Sequence, residues 1–425
     1  MVVPMAVFLT SSRRRWWAGA EAVSGVGAVL LLVTGCTSAA HSSSGGTTAS
    51  GVVATPVPAT STTKIPVVSV DGPDAKISYR VPVKIVVTDG SFVSVQVTGA
   101  DSALPLEGTM SGDGTSWVSG LPPRPGSEYE VSATVRDPAG RESTQAAHFT
   151  VAVVPSSQRV GFSVTPKAGS TVGIGQPVVV RFLTPIKERA AFEEVMTVSA
   201  KTPSGRAVTG SWHWLSSEEV HWRPQKFWTP GTRVKLDMKI AGVRAAPDRY
   251  GRQDYSQTFT IGSSHVTFVD GVSHRVKVYR DGKPSGDWPG GTGKTGLETY
   301  SGTYIVLGKS AQIMMDSCSA RITCDKKDPE YYSEKEFWAT RITNSGTFLH
   351  AASWDPLLGK ANVSHGCIHL GDASAKEFYA HAMIGDVVIV QRTGRGPQDR
   401  VDTRDPGLYD WNLSWSQWLA GSALR

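Results

Sequence analysis

Ser364-His365-Gly366-Cys367 sets one cysteine against a backbone-permissive glycine, with histidines two positions to either side, at 365 and 369. A cysteine reacts as its thiolate, so it needs a base within reach and donors for the oxyanion that forms when it attacks a carbonyl. His365 and His369 would share the face of Cys367 in a strand and splay away from it in a turn. His350 is a third candidate base, 17 residues upstream at the end of the β-type run Thr347-Phe348-Leu349-His350. The intervening segment, 351–364, is rich in Asp, Pro, Gly and Asn and can loop back. Gly366 lacks a Cβ, which permits a tight turn presenting two successive amides as an oxyanion hole. Zinc is the rival use of such a cluster, but the C-x-x-C and H-x-x-x-H spacings are absent and no carboxylate is obviously placed to help. The residues read as a nucleophile with its base.

The remaining cysteines sharpen this. Arg13, Arg14 and Arg15 precede an apolar run from Ala22 to Val33, which is shorter than the ~20 residues that span a bilayer as a helix. The run ends in Leu32-Val33-Thr34-Gly35-Cys36, which resembles the lipobox of bacterial lipoproteins and implies a lipidated Cys36. An exported chain sits where cysteines normally pair. Of the four cysteines, lipidation uses Cys36 and leaves three, so at least one has no partner within the chain. Cys318 and Cys324 lie six positions apart in a turn-rich stretch and could close a small loop, worth roughly 2 kcal/mol by loop entropy. Cys367 is then the odd thiol, the kind flagged as reactive.

The elements that must position these groups read as mainly β. Residues 1–35 form the signal segment, and 36–65 a Ser/Thr/Gly/Pro tether that cannot bury a core. Residues 66–154 alternate with a two-residue period: Val83, Ile85 and Val87, then Val93, Val95 and Val97, then Tyr129, Val131, Ala133 and Val135. That spacing predicts a β-sandwich, and 155–262 repeat it. Trp212, Trp214 and Trp222 are expected in the core or in interdomain packing rather than on a sugar-stacking surface. A third region, 263–393, carries the histidines and Cys367; its Gly290–Thr295 stretch lacks phosphate-loop spacing and is read as a turn. In the last segment, 394–425, Trp411, Trp415 and Trp418 fall on one helical face expected to dock on the preceding domain. The net charge of +6 is too weak and dispersed to argue for nucleic acid.

At His350 and Ser364-His365-Gly366-Cys367 the sequence resembles the L,D-transpeptidase (YkuD-type) catalytic domain. Residues 36–425 resemble the lipoprotein members built from two Ig-like β-sandwich domains, that β-rich domain and a Trp-rich C-terminal helical segment. The resemblance implies that Cys367 is the nucleophile and His350 its base, with Gly366 and Cys367 supplying oxyanion amides and His365 supporting the motif. Ala351 would orient His350 through its backbone carbonyl. Tyr332, Met315 and Trp354 match positions lining the substrate cleft under a mobile lid, in or beside which Cys318 and Cys324 fall. Asn362 and Ser364 match substrate-flanking positions. His369 stands where many relatives carry Asn or Arg, so its protonation is expected to tune substrate binding or the thiolate.

The implied reaction is acyl transfer on peptidoglycan stem peptides at the extracytoplasmic face of the cell membrane, with no cofactor and no metal. Cys367 would take a tetrapeptide donor as a thioester and pass it to a diaminopimelate amine, giving a 3→3 cross-link. The same resemblance implies acylation by carbapenems. Two alternatives are an L,D-carboxypeptidase, in which water resolves the thioester, and a wall-binding scaffold with a weakened site.

Overall fold

In the strand Glu128–Arg136, Tyr129, Val131, Ala133 and Val135 point into a core while Glu128, Glu130 and Ser132 face water. The computed structural model describes residues 64–71, 76–99, 105–396, 404–405 and 410–425. Cys36, the 1–35 segment and all but the last two residues of the 36–65 tether lie outside the described residues. Glu128–Arg136 pairs with Ser91–Gly99 and Glu142–Val151, and Lys76–Ile77 completes that four-stranded sheet. The facing sheet runs Val67–Asp71, Lys84–Thr88, Ser116–Ser119, Gly108–Met110. The expected alternation of Val93, Val95 and Val97 fails in one place. A bulge between Phe92 and Ser94 gives the core position to Phe92 and turns Val93 outward.

A second sandwich follows, with sheets ordered Phe162–Thr165, Val178–Phe182, Glu219–Pro224, Gly210–Trp214 and Thr171–Val172, Tyr255–Ile261, Arg233–Met238, Met196–Lys201. Trp212, Trp214 and Trp222 are core residues here, joined by Trp228. Burying an indole leaves its N–H to be satisfied. Trp212 donates to the Met196 carbonyl at 2.9 Å, Trp214 to Glu193 at 2.9 Å and Trp228 to the Gln176 carbonyl at 2.7 Å.

The third region is a nine-stranded sheet ordered Gly302–Ile305, Val387–Gln391, His265–Asp270, Arg275–Arg280, Lys283–Gly291, Ile368–Leu370, Phe348–Ala351, Ser333–Arg341, Gly308–Asp316. Gly290 and Gly291, expected in a turn, end a strand and pair with Leu370 and His369. The sheet is backed by the helix Asp372–His381, which buries Ala375 and Phe378. This domain meets the second sandwich main chain to main chain: the Gly173 amide donates to the Ile384 carbonyl at 2.7 Å and Gly175 to Gly385 at 2.9 Å. A Cβ at Gly173 would stand 2.2 Å from the Asp386 nitrogen, so only glycine permits the approach. Beside this junction lies a cavity of about 240 Å³ lined by Gln176, His221, Tyr304 and Trp411.

The C-terminal segment departs from expectation. Among its described residues the α-helix is Trp415–Leu419, started by a capping box of Ser414 and Gln417, so Trp411 lies before the helix. The three tryptophans still converge, but around the Arg223 guanidinium of the second sandwich, at 4.7, 5.3 and 4.4 Å from the rings of Trp411, Trp415 and Trp418. Trp418 stacks on His213 at 4.6 Å. The catalytic sheet is gripped by Asn412, whose side chain bonds both main-chain groups of Thr303 at 2.7 and 2.9 Å.

Asp410 anchors the segment through His221, which is buried with Asp410 2.7 Å from Nδ1 and Glu219 2.7 Å from Nε2. Burial opposes the imidazolium, but the two carboxylates win and push His221 up to about 9. A raised folded-state pKa contributes stability fully below the ordinary value near 6.5 and loses it as pH rises through about 9. The unfolding midpoint of the protein is therefore expected to fall across that interval. His221→Ala should cost about 3–5 kcal/mol near neutral pH, the scale for stripping one partner from a buried pair, and remove most of the alkaline decline. Thermal melts of both proteins from pH 6 to about pH 10 check this.

Candidate active site

Leu349, Ile368 and Leu370 bury into the domain core and hold two short strands in parallel register. That register sets His350 beside His369, their rings edge to face at 5.1 Å. Cys367 immediately precedes the second strand. It is the one free cysteine among the described residues and is partly buried against the Met315, Ala339 and Phe348 cluster. Cys318 and Cys324 are bonded to each other, with Cα atoms 4.4 Å apart.

The turn before Cys367 is built from Ser364. This buried hydroxyl accepts from the Gly366 amide at 3.1 Å and donates to the Cys367 carbonyl at 2.7 Å. Gly366 adopts φ +112°, a conformation glycine reaches without strain. Thr299 donates to the Gly366 carbonyl at 2.9 Å. These bonds correct two expectations. The Gly366 amide is already spent on Ser364, so it does not stand free as an oxyanion donor. Asn362 serves the fold rather than a substrate, donating to the Gly271 carbonyl at 2.7 Å and accepting from the Thr292 amide at 3.0 Å, whereas Ser364, its hydroxyl committed to the turn, still lines a cavity at Cys367.

His350 is buried, with Nδ1 3.0 Å from the Ala351 carbonyl and 3.2 Å from Glu336 Oε2. The Ala351 carbonyl is thus where the resemblance put it, and Glu336 is an unanticipated neighbour. Burial works against charge on His350, but its hydrogen bonds and charge interactions with Cys367 and Glu336 push it up to about 10. The thiol itself points its hydrogen bond at the Gly346 carbonyl, 3.6 Å away.

His369 behaves oppositely. It is buried, its Nδ1 is 2.9 Å from Asp355 Oδ2, and Trp354 lies edge-on at 5.1 Å. Burial and then repulsion from His350 lower its pKa below the ordinary value, against the pull of Asp355. The two neighbouring imidazoles are thus pushed in opposite directions. His369 lines the cavity at Cys367, as expected, and the lowered pKa moves any titration of its ring toward the acid side.

Two cavities meet at Cys367, of about 380 and 250 Å³. The first is lined by Tyr300, Arg321, Gly346, Arg395 and Arg404. The second is lined by Met315, Glu334, Glu336, Trp354 and His369, while Tyr332 and His365 border both. Burial, then the charges of Cys367, Asp316 and Glu334, raise the Tyr332 phenol well above its usual range, so it stays an O–H donor. Residues 317–332, where the resemblance places a lid, are folded on themselves by the Cys318–Cys324 bond and by Ser317, whose hydroxyl donates to the Thr323 carbonyl at 2.9 Å. Glu330 ties the lid down, 2.6 Å from Lys294 Nζ and 2.8 Å from His365 Nε2, the latter a charge contact too bent for a good hydrogen bond. His365 thus faces the lid, against Tyr332 at 4.9 Å, rather than serving the thiol.

Glu336, Asp355, Glu330 and Gly346 were not legible as site residues. The available signal was Glu334 and Glu336 at period two in a strand, the second of which is buried while Lys335 and Phe337 beside it are exposed.

The fold and site are those of a YkuD-type domain carried on Ig-like sandwiches. Residues 264–390 match the family described as the L,D-transpeptidase catalytic domain, and residues 74–244 match a bacterial Ig domain. L,D-transpeptidase 2 of Mycobacterium tuberculosis (strain CDC 1551 / Oshkosh) is 32% identical over 348 residues, covering 82% of this chain and 82% of the relative. L,D-transpeptidase 5 of strain ATCC 25618 / H37Rv is 32% identical over 351 residues, 81% of this chain and 73% of the relative. A crystal structure of L,D-transpeptidase 3 from Mycobacterium tuberculosis with a faropenem-derived adduct aligns at 34% identity, with a TM-score of 0.46, over 56% of this chain and 100% of that one. The chain belongs to the L,D-transpeptidase family.

Because burial and the neighbouring His350 lower the pKa of His369, His369→Asn, which keeps a donor for Asp355, is expected to leave the pH dependence of Cys367 acylation unchanged between about pH 7 and 8. His369→Ala leaves the buried Asp355 Oδ2 without its partner, while Oδ1 keeps the Leu357 amide, and is expected to cost about 1–3 kcal/mol in denaturant unfolding. A changed pH profile in folded His369→Asn would mean that His369 titrates in that interval.

Proposed function

We propose that the protein is a peptidoglycan L,D-transpeptidase that forms 3→3 cross-links through a Cys367 thioester. The observation carrying this reading is a free thiol at the meeting point of two cavities, beside a buried histidine held at Nδ1. Cys367 gives its proton to His350 and attacks the carbonyl of the third residue of a tetrapeptide stem. The Cys367 amide and the neutral Tyr332 hydroxyl are the donors for the tetrahedral oxyanion. Collapse breaks the amide bond, and the departing D-alanine amine takes the proton from His350. A diaminopimelate amine from a second stem, entering by the other cavity, then attacks the thioester. It passes its proton to His350 and releases the thiolate, so protons balance over the cycle. A carbapenem ring, a strained amide, is opened by the same attack and stays on the sulfur.

The arginines at the amino terminus, the apolar run and Cys36 support anchoring by lipid on the extracytoplasmic face of the membrane. No helix among the described residues is long and apolar enough to cross a membrane.

Incubating the full chain with a disaccharide-tetrapeptide should yield a cross-linked dimer that has lost one D-alanine, read by mass spectrometry. Hydrolysed tripeptide alone would make the protein a carboxypeptidase. Cys367→Ala should abolish both the dimer and the carbapenem adduct while the fold persists. Any turnover left in that variant would overturn the nucleophile assignment. His350→Ala should lower turnover on the order of 10²-fold or more, and His365→Ala by less.

A further inference from the structure

A backbone carbonyl is enough to hold an imidazole in one orientation, and Ala351 supplies one. Glu336 adds a second acceptor to the same nitrogen. Its carboxylate rises from the strand Ser333–Arg341, lies 3.2 Å from His350 Nδ1 and is itself buried at 6% exposure. Carboxylates seldom go inside unless something compensates them, and an isolated buried charge is far costlier than a paired one. The compensation is sorted in pairs: Asp355 is on His369 Nδ1, and Glu336 is on His350 Nδ1. With Nδ1 shared between the Ala351 carbonyl and Glu336, Nε2 is the nitrogen left for the thiol.

We propose that Glu336 is a positioning residue that backs His350 with a full negative charge, so that the proton leaving Cys367 stays on the imidazole and the thiolate persists on the acid side of neutrality. The inference rests on the cysteine–histidine reading above and adds a residue to it. The bookkeeping is simple: the S–H bond breaks, an N–H bond forms at Nε2, and Glu336 remains ionised without taking the proton. Several groups face His350. Glu336 and Glu334 come from one neighbouring strand and Tyr332 from just before it, His369 comes from the other strand and Cys367 from the turn before it, and Asp355 reaches it through His369. Glu336 is the carboxylate in direct contact with the ring, and the raised pKa of His350 agrees with that geometry. A carboxylate held against the distal nitrogen of a catalytic imidazole stabilises the charged ring in other hydrolases and acyltransferases by the same electrostatics.

The test is the pH dependence of iodoacetamide alkylation, read by mass spectrometry on the Cys367-bearing peptide of the full-length protein. Glu336→Gln is expected to move the alkylation midpoint up by about one pH unit or more, which is roughly tenfold slower labelling below the midpoint. Glu336→Asp, which keeps the charge, should restore most of that shift. An unmoved midpoint in folded Glu336→Gln, with His350→Asn still raising it, overturns the role of Glu336 and leaves the Cys367–His350 reading standing. A midpoint that neither variant moves overturns both. If Glu336→Gln does not fold, histidine-selective nitrogen NMR on the unaltered protein decides. Two protonated ring nitrogens on His350 at about pH 8 support the proposal, and a neutral ring at about pH 7 overturns it.

Discussion

Two three- and four-residue strands running side by side in parallel carry everything else at this site. Phe348–Ala351 and Ile368–Leu370 are too short to be stable alone, and parallel neighbours need a crossover between them. They persist because Leu349, Ile368 and Leu370 are completely enclosed and because longer strands flank them on both sides. Period two then forces the consequence: with leucine and isoleucine committed to the core, the histidines between them must share the opposite face. A slip of one residue would send His350 into the core and a leucine toward the thiol. The catalytic geometry is thus set by hydrophobic burial on the far side of the sheet.

The lid is organised by a different set of forces. A covalent loop of six residues, an internal hydroxyl bond and one carboxylate shared between Lys294 and His365 hold it against the cleft. Surface ion pairs contribute little to stability, so Glu330 is better understood as a fastening that opens at low cost. The disulfide restricts how the segment can unfold when it opens. Together they give a stiff flap on a weak catch.

Much of this was readable from residue order. Alternation located the sandwiches, tryptophans in strands announced cores, and the histidine, glycine and cysteine spacing marked the site. What escaped reading shares one property: it depends on which strand becomes whose neighbour. Glu336 meets His350, and Asp355 meets His369, each across 14 residues of chain that a linear pattern cannot fold. The Phe92 bulge inserts one residue and reverses the facing of the next, which alternation cannot foresee. Gly366 was correctly seen as conformationally permissive, but the competing hydroxyl of Ser364, two residues away, decides where its amide goes. The tryptophan spacing held for convergence and failed for the helix, because a cation on another domain gathers the rings.

The junction at Gly173 and Gly175 bears on how such an enzyme meets an insoluble polymer. Buried main-chain hydrogen bonds are not surrendered to a hinge, since opening would leave amides and carbonyls unpaired until water reached them. The second sandwich therefore behaves as a handle welded to the catalytic sheet, and any turning of the handle turns the cleft by the same angle. The active site is carried on a fixed wrist.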